Sequence, residues 1–169
     1  MKRQVWIWQL AGFSISSLLG TLLHFLYDFT GGAVWAALFS GVNESTFEHI
    51  KLLFWPMLAF AVIESFFFRE RKDFWCIKLC GILLGLVLIP ILFYTYNGVI
   101  GKSPDFVNIA IFFVSAAIAY IFEAYLFRRE KPLCSNSGFA VIFLCIIAIL
   151  LITFTFRVPD LGIFKDTTA

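Results

Sequence analysis

Charge is what this chain has least of. Asp, Glu, Lys and Arg make up 14% of its residues against 61% hydrophobic ones, and the mean hydropathy is +0.91. A soluble domain of 169 residues could not cover its surface from so small a polar stock. The net charge of +2 leaves no electrostatic footprint for nucleic acid, and no nucleic-acid module is present, so no such partner is expected. The chain also lacks a glycine-rich phosphate loop, a G-x-S-x-G elbow, and any H-E-x-x-H or H-x-x-x-H pair. Its cysteines, Cys76, Cys80, Cys134 and Cys145, form no C-x-x-C pair. They read as small apolar packing residues, with Cys76 and Cys80 on one helix face; a disulfide or thiol site is the alternative.

Long apolar runs are what the chain has instead. Five of them, at about 5–27, 45–68, 74–96, 105–127 and 138–156, are long enough to cross a hydrocarbon core. That core is ~30 Å thick, and a helix rises ~1.5 Å per residue. The first run follows a basic start, Lys2-Arg3, but it is too long for a signal peptide and no small-x-small cleavage site follows. A retained helix is expected, with Ser17, Gly20 and Thr21 suited to close helix packing. The segment Ala33–Phe39 is too short to span and reads as an interfacial or re-entrant helix. Pro56 and Pro90 fall inside the second and third runs and should kink them. Asn97-Gly98 reads as a turn. The aromatic residues suit lipid-facing and interfacial positions.

Basic residues set the expected orientation. With the N-terminus inside, the cytoplasmic side holds Lys2, Arg3, Arg69, Arg71, Lys72, Lys78, Arg128, Arg129 and Lys131. The other side holds Lys51, Lys102, Arg157 and Lys165, nine against four. The expected architecture is therefore all-α: a single domain over 1–169, an integral membrane bundle of five transmembrane helices plus a short interfacial helix, N-terminus in and C-terminus out.

This topology gathers polar residues at one end. His24, Asp28, Asn43, Glu44, Glu48, His49, Tyr94, Tyr96, Asn97, Asp105, Asn108, Arg157 and Asp160 all fall at the outer ends of spans. The densest stretch is Asn43-Glu-Ser-Thr-Phe-Glu-His49. His24 and Asp28 share a helix face at i and i+4, as do Glu44 and Glu48. Imidazole nitrogen and carboxylate oxygen are ligands for a divalent metal, and His24, Asp28, Glu48 and His49 are the metal candidates. A polar binding pocket would draw on those four with Asn43 and Glu44. The competing reading is a helix start, because Ser45-Thr-Phe-Glu48 is a capping box, Asn43 is a good cap, and acidic groups suit a first turn.

Two carboxylates lie deeper. Glu64 and Glu123 each stand five residues before an arginine, in the segments Glu64-Ser-Phe-Phe-Phe-Arg69 and Glu123-Ala-Tyr-Leu-Phe-Arg128, whose echo at a 59-residue separation reads as a coincidence of apolar-biased positions, with a duplication as the alternative. They either reach water or pair with Arg69 and Arg128, or serve as membrane carboxylates for proton or cation passage.

The segment Val42-Asn-Glu-Ser-Thr-Phe-Glu-His-Ile-Lys-Leu-Leu-Phe-Trp-Pro56 resembles a family of small multi-pass bacterial membrane proteins of unknown function that carry N-E-S-x-x-E-H-x-K-L-x-F-x-P. The similarity extends to His24, Tyr94–Gly98 and Val158–Asp166. It implies a five-helix protein of a bacterial cell membrane and assigns no reaction.

Three functions follow as expectations. The first is binding or transport of a small polar solute or cation by the outer pocket. The second is a membrane-embedded enzyme, metal-dependent or not, acting on a lipid or lipid-linked substrate, with Glu44, Glu48 and His49 as catalytic candidates. The third is an accessory protein without turnover. The lipid bilayer is a partner in all three.

Overall fold

The computed structural model describes residues 2–101 and 103–165, without the side chains of Lys2 and Asp105. Lys102 and the tail residues 166–169, used above in the charge count and the resemblance, lie outside the described residues. The chain forms α1 (Lys2–Phe29), α2 (Val34–Ala37), α3 (Thr46–Ser65), α4 (Phe74–Val99), α5 (Asp105–Phe127) and α6 (Gly138–Phe156), then a 3-10 turn at Gly162–Phe164. There is no strand among the described residues. Five helices are long and apolar enough to cross a membrane: α3, α4 and α6 whole, with Arg3–Phe29 of α1 and Phe106–Phe127 of α5.

Four helices make a closed ring. α1 packs on α3 and α5, α3 on α4, and α4 on α5, while α6 lies outside the ring against α4. The reason is visible in α1. Its buried face carries Val5, Gln9, Gly12, Ser16 and Gly20, and its exposed face carries Trp6, Ile7, Leu10, Leu18 and Leu22. Small and polar residues face in and large apolar ones face out, the reverse of a soluble amphipathic helix and the pattern of helices packed in lipid. A Cβ added at Gly20 would meet the Phe112 ring at 2.6 Å and the Leu52 carbonyl oxygen at 2.9 Å. Glycine is therefore what lets α1 reach α3 and α5 together at that level.

Several expectations change at the helix ends. Asn97-Gly98 is helical rather than a turn, because Asn97 Nδ2 donates to the Phe93 carbonyl at 2.8 Å and its Oδ1 accepts from Ser103 N at 2.8 Å. The side chain itself closes the helix, which runs on to Val99. α3 stops at Ser65, short of Phe68. Pro56 and Pro90 both sit inside continuous helices. The cysteines divide: Cys76 and Cys134 form a disulfide, whereas Cys80 and Cys145 are free. The bridge lies at the basic end, where the α3–α4 and α5–α6 connections are also fastened by Asp73. Its carboxylate pairs with Arg71 at 2.6 Å and accepts the Leu133 N–H at 2.6 Å.

Candidate functional site

The turn before α3 is locked by three side chains. Ser45 caps the helix, its hydroxyl accepting from Glu48 N at 3.4 Å. Asn43 Oδ1 accepts from Ser45 N at 3.0 Å. The Glu48 carboxylate turns back as a capping box requires, but it takes the Val42 N–H at 3.0 Å because Asn43 already holds that of Ser45. Ser40, fully buried, accepts from Tyr27 N at 3.0 Å and so fastens the preceding segment to the end of α1. These bonds present Glu44 to two imidazoles from different helices.

Glu44 Oε1 lies 3.4 Å from His24 Nε2, and its Oε2 lies 3.8 Å from His49 Nε2. The two rings are 6.0 Å apart, and one ligand atom from each of the three residues falls within 4.8 Å of the others. His49 Nδ1 is 2.9 Å from the Ser45 carbonyl. A carbonyl only accepts, so Nδ1 carries a hydrogen, and Nε2 is the nitrogen that faces Glu44, the orientation a metal-bound histidine takes. Side-chain exposure is 31% for His24, 42% for Glu44 and 18% for His49, so the cluster is open to small solutes.

The other candidates go elsewhere. Glu48 pairs with Lys51 at 2.8 Å; the lysine is fully buried and also donates to the Ala37 carbonyl and Thr155 Oγ1. Lys51 is thus an internal counter-ion instead of an interfacial anchor. Asp28 and Asn43 are exposed. Neither they nor Glu48 join the His24–Glu44–His49 group.

Below this group an apolar groove of about 210 Å³ runs between α1, α3 and α5, lined by Gly20, Thr21, His24, Phe25, His49, Leu52, Ile109, Phe112 and Phe113. The imidazoles form its polar end.

A second polar cluster occupies the other half of the bundle. Lys78 of α4 is fully buried, 2.9 Å from Glu64 of α3, and it also pairs with Glu123 of α5. Gln9 of α1 donates to Glu64 Oε1 at 2.7 Å, and Ser16 of α1 hydrogen-bonds the Tyr120 hydroxyl at 2.6 Å. All four helices of the ring therefore contribute. Glu64 and Glu123 neither reach water nor pair with Arg69 and Arg128; both are fully buried on one ammonium. Lys78 counts above as a cytoplasmic anchor, because only its distance from the basic cluster is visible in sequence. Its position five residues inside α4, one charge in an otherwise apolar run, was the available signal. Gln9 stands out in sequence only as one of several polar residues in the first apolar run, and Tyr120 carries no such signal.

The chain belongs to a family of unknown function, DUF6512, whose model matches residues 1–169. No curated protein and no solved structure matches it.

Proposed function

We propose that this member of a family of unknown function binds a divalent cation at His24, Glu44 and His49, on the extracytoplasmic face of a bacterial cell membrane. The observation that carries the reading is the convergence of two imidazole nitrogens and a carboxylate from α1, the α2–α3 turn and α3. Two histidines and a glutamate form a ligand set known for zinc sites that keep a position open. The atoms are spaced more widely than a bound ion requires, so binding would draw the three side chains inward. The hydrogen bond from His49 to Ser45 would fix that ring as the ion enters.

The orientation rests on charge. Lys78 and Lys51 are buried and leave the tally, which takes nine against four to eight against three. The Cys76–Cys134 bridge pulls the other way, since disulfides persist in oxidising compartments and it lies at the basic end. A reporter fused at the C-terminus decides between them, and an extracytoplasmic signal is expected.

A second reading is favoured by the groove. A membrane-embedded enzyme acting on a lipid would seat an acyl chain between α1 and α5 and bring its polar end to the cluster. The groove has the volume of about seven waters, enough for part of an acyl chain. Glu44 would then be general base or metal ligand.

Elemental analysis of protein purified without chelator tests the primary reading. About one divalent ion per chain is expected in the wild type, with loss in the double substitution His24→Ala/His49→Ala. No ion in the wild type, even after incubation with zinc or manganese and desalting, would remove cation binding from this site.

A further inference from the structure

The Lys78 cluster carries a separate conclusion, which does not depend on the cation site. It begins with a mismatch of charge. One ammonium faces two carboxyl groups, and Lys78, Glu64 and Glu123 are each 0% exposed. The groups packed around them add no charge: Gln9 and Ser16 come from α1, Phe60 from α3, and Tyr120 from α5. A buried charge without a partner is costly in a protein interior and more so in lipid, and two carboxyls that share one site do not both ionise readily. Neutrality requires one proton in addition to those on Lys78.

Hydrogen bonding indicates where that proton sits. Glu64 receives a donor on each oxygen, Gln9 Nε2 on one and Lys78 Nζ on the other. Glu123 receives Lys78 on Oε2, but its Oε1 is buried with no partner. Gln9 Oε1, in the same network, is also buried with no partner. Two buried oxygens at this level, Glu123 Oε1 and Gln9 Oε1, thus have no hydrogen-bond partner. A proton on Glu123 Oε1 turns that unmatched acceptor into a donor, whereas both oxygens of Glu64 already accept. Gly81 of α4 makes room for this group, because a Cβ there would fall on the Glu123 carboxyl.

The cluster is also covered toward the basic end. Each charged residue has a phenylalanine four positions nearer the basic end: Phe68 for Glu64, Phe74 for Lys78 and Phe127 for Glu123. The three rings lie against one another, with centroids 5.2 Å apart for Phe68–Phe127, 5.8 Å for Phe74–Phe127 and 6.4 Å for Phe68–Phe74. They lie between the charges and the basic ends of these helices, and two of them, Phe74 and Phe127, are buried.

We propose that Lys78, Glu64 and Glu123 form a proton-binding site that holds one proton on Glu123 behind the Phe68–Phe74–Phe127 plug. The proton is bound and released as such, with no bond to carbon made or broken.

Infrared spectroscopy of the full chain in lipid nanodiscs reads this directly. At neutral pH the wild type should show the carbonyl band of a protonated carboxylic acid. Glu123→Gln should lose it. Glu64→Gln should lose it too, because Glu123 must then ionise to balance Lys78. Glu44→Gln should keep it. Absence of the band from the wild type overturns the proposal without recourse to any variant, as does a band that survives in Glu123→Gln. If Glu123→Gln does not fold, the loss or survival of the band in Glu64→Gln decides in its place. The shift of the band on transfer to D2O should be slow in the wild type and at least tenfold faster in Phe127→Ala; equal rates would reject the plug.

Discussion

The two polar clusters differ in the way they meet water. His24, Glu44 and His49 lie at the mouth of the bundle, 18–42% exposed, with nitrogen–oxygen separations of 3.4 and 3.8 Å. Lys78, Glu64 and Glu123 are 0% exposed and in direct contact. At the first cluster solvent can complete what the protein leaves unfinished, so the side chains need not touch one another. At the second every charge and lone pair has to be matched from within, and a single mismatch becomes informative. Openness therefore suits the first cluster to the proposed cation, and closure suits the second to the proposed proton.

This contrast can be broken by mutation, and the largest effect belongs to the closed cluster. Lys78→Met leaves two buried carboxyls without a cation and should cost about 3–5 kcal/mol, seen as a large drop in the thermal midpoint in detergent or as failure to accumulate folded protein. Glu48→Gln comes next. It removes the carboxylate from buried Lys51, which keeps its bonds to Ala37 and Thr155, so about 2–3 kcal/mol is expected by the same measurement. Glu44→Gln should be the mildest, under about 1 kcal/mol, because its contacts with the two imidazoles are open to solvent. Its effect should instead appear as loss of bound cation. If Glu44→Gln unfolded the protein as readily as Lys78→Met, the open cluster would be structural and the contrast would fail.

The same contrast governs what was legible in sequence. The five long helices could be read because hydropathy over twenty residues sums many small preferences, and α5 and α6 begin and end where the runs do. The cap at Ser45 could be read because it is local. The grouping of His24 with Glu44 and His49 could be anticipated only in outline: helix spacing pairs Glu44 with Glu48, whereas the turn held by Asn43 and Ser45 separates them and sends Glu48 to Lys51. Lys78 is the sharpest case. By position it belongs with the anchors, and only the approach of α3 and α5 across α4 shows that it faces inward. Residues on three helices, 14 and 45 positions apart in the chain, meet there, and no periodicity reports such a meeting. The disulfide between Cys76 and Cys134 is of the same kind, joining positions 58 apart.

The ion triad also bears on how the chain enters its membrane. Glu64 and Lys78 lie on consecutive helices joined only by residues 66–73. Each alone would add about 2.5–3.5 kcal/mol to insertion at mid-helix depth, and less nearer the interface. Entering together as a hairpin they cancel, so α3 and α4 form a natural unit of delivery to the bilayer. α5 follows with a carboxyl for which the lysine is already half committed. A glutamic acid that enters as the neutral acid avoids that penalty, so a Glu123 that holds a proton is also the form that the bilayer admits most cheaply.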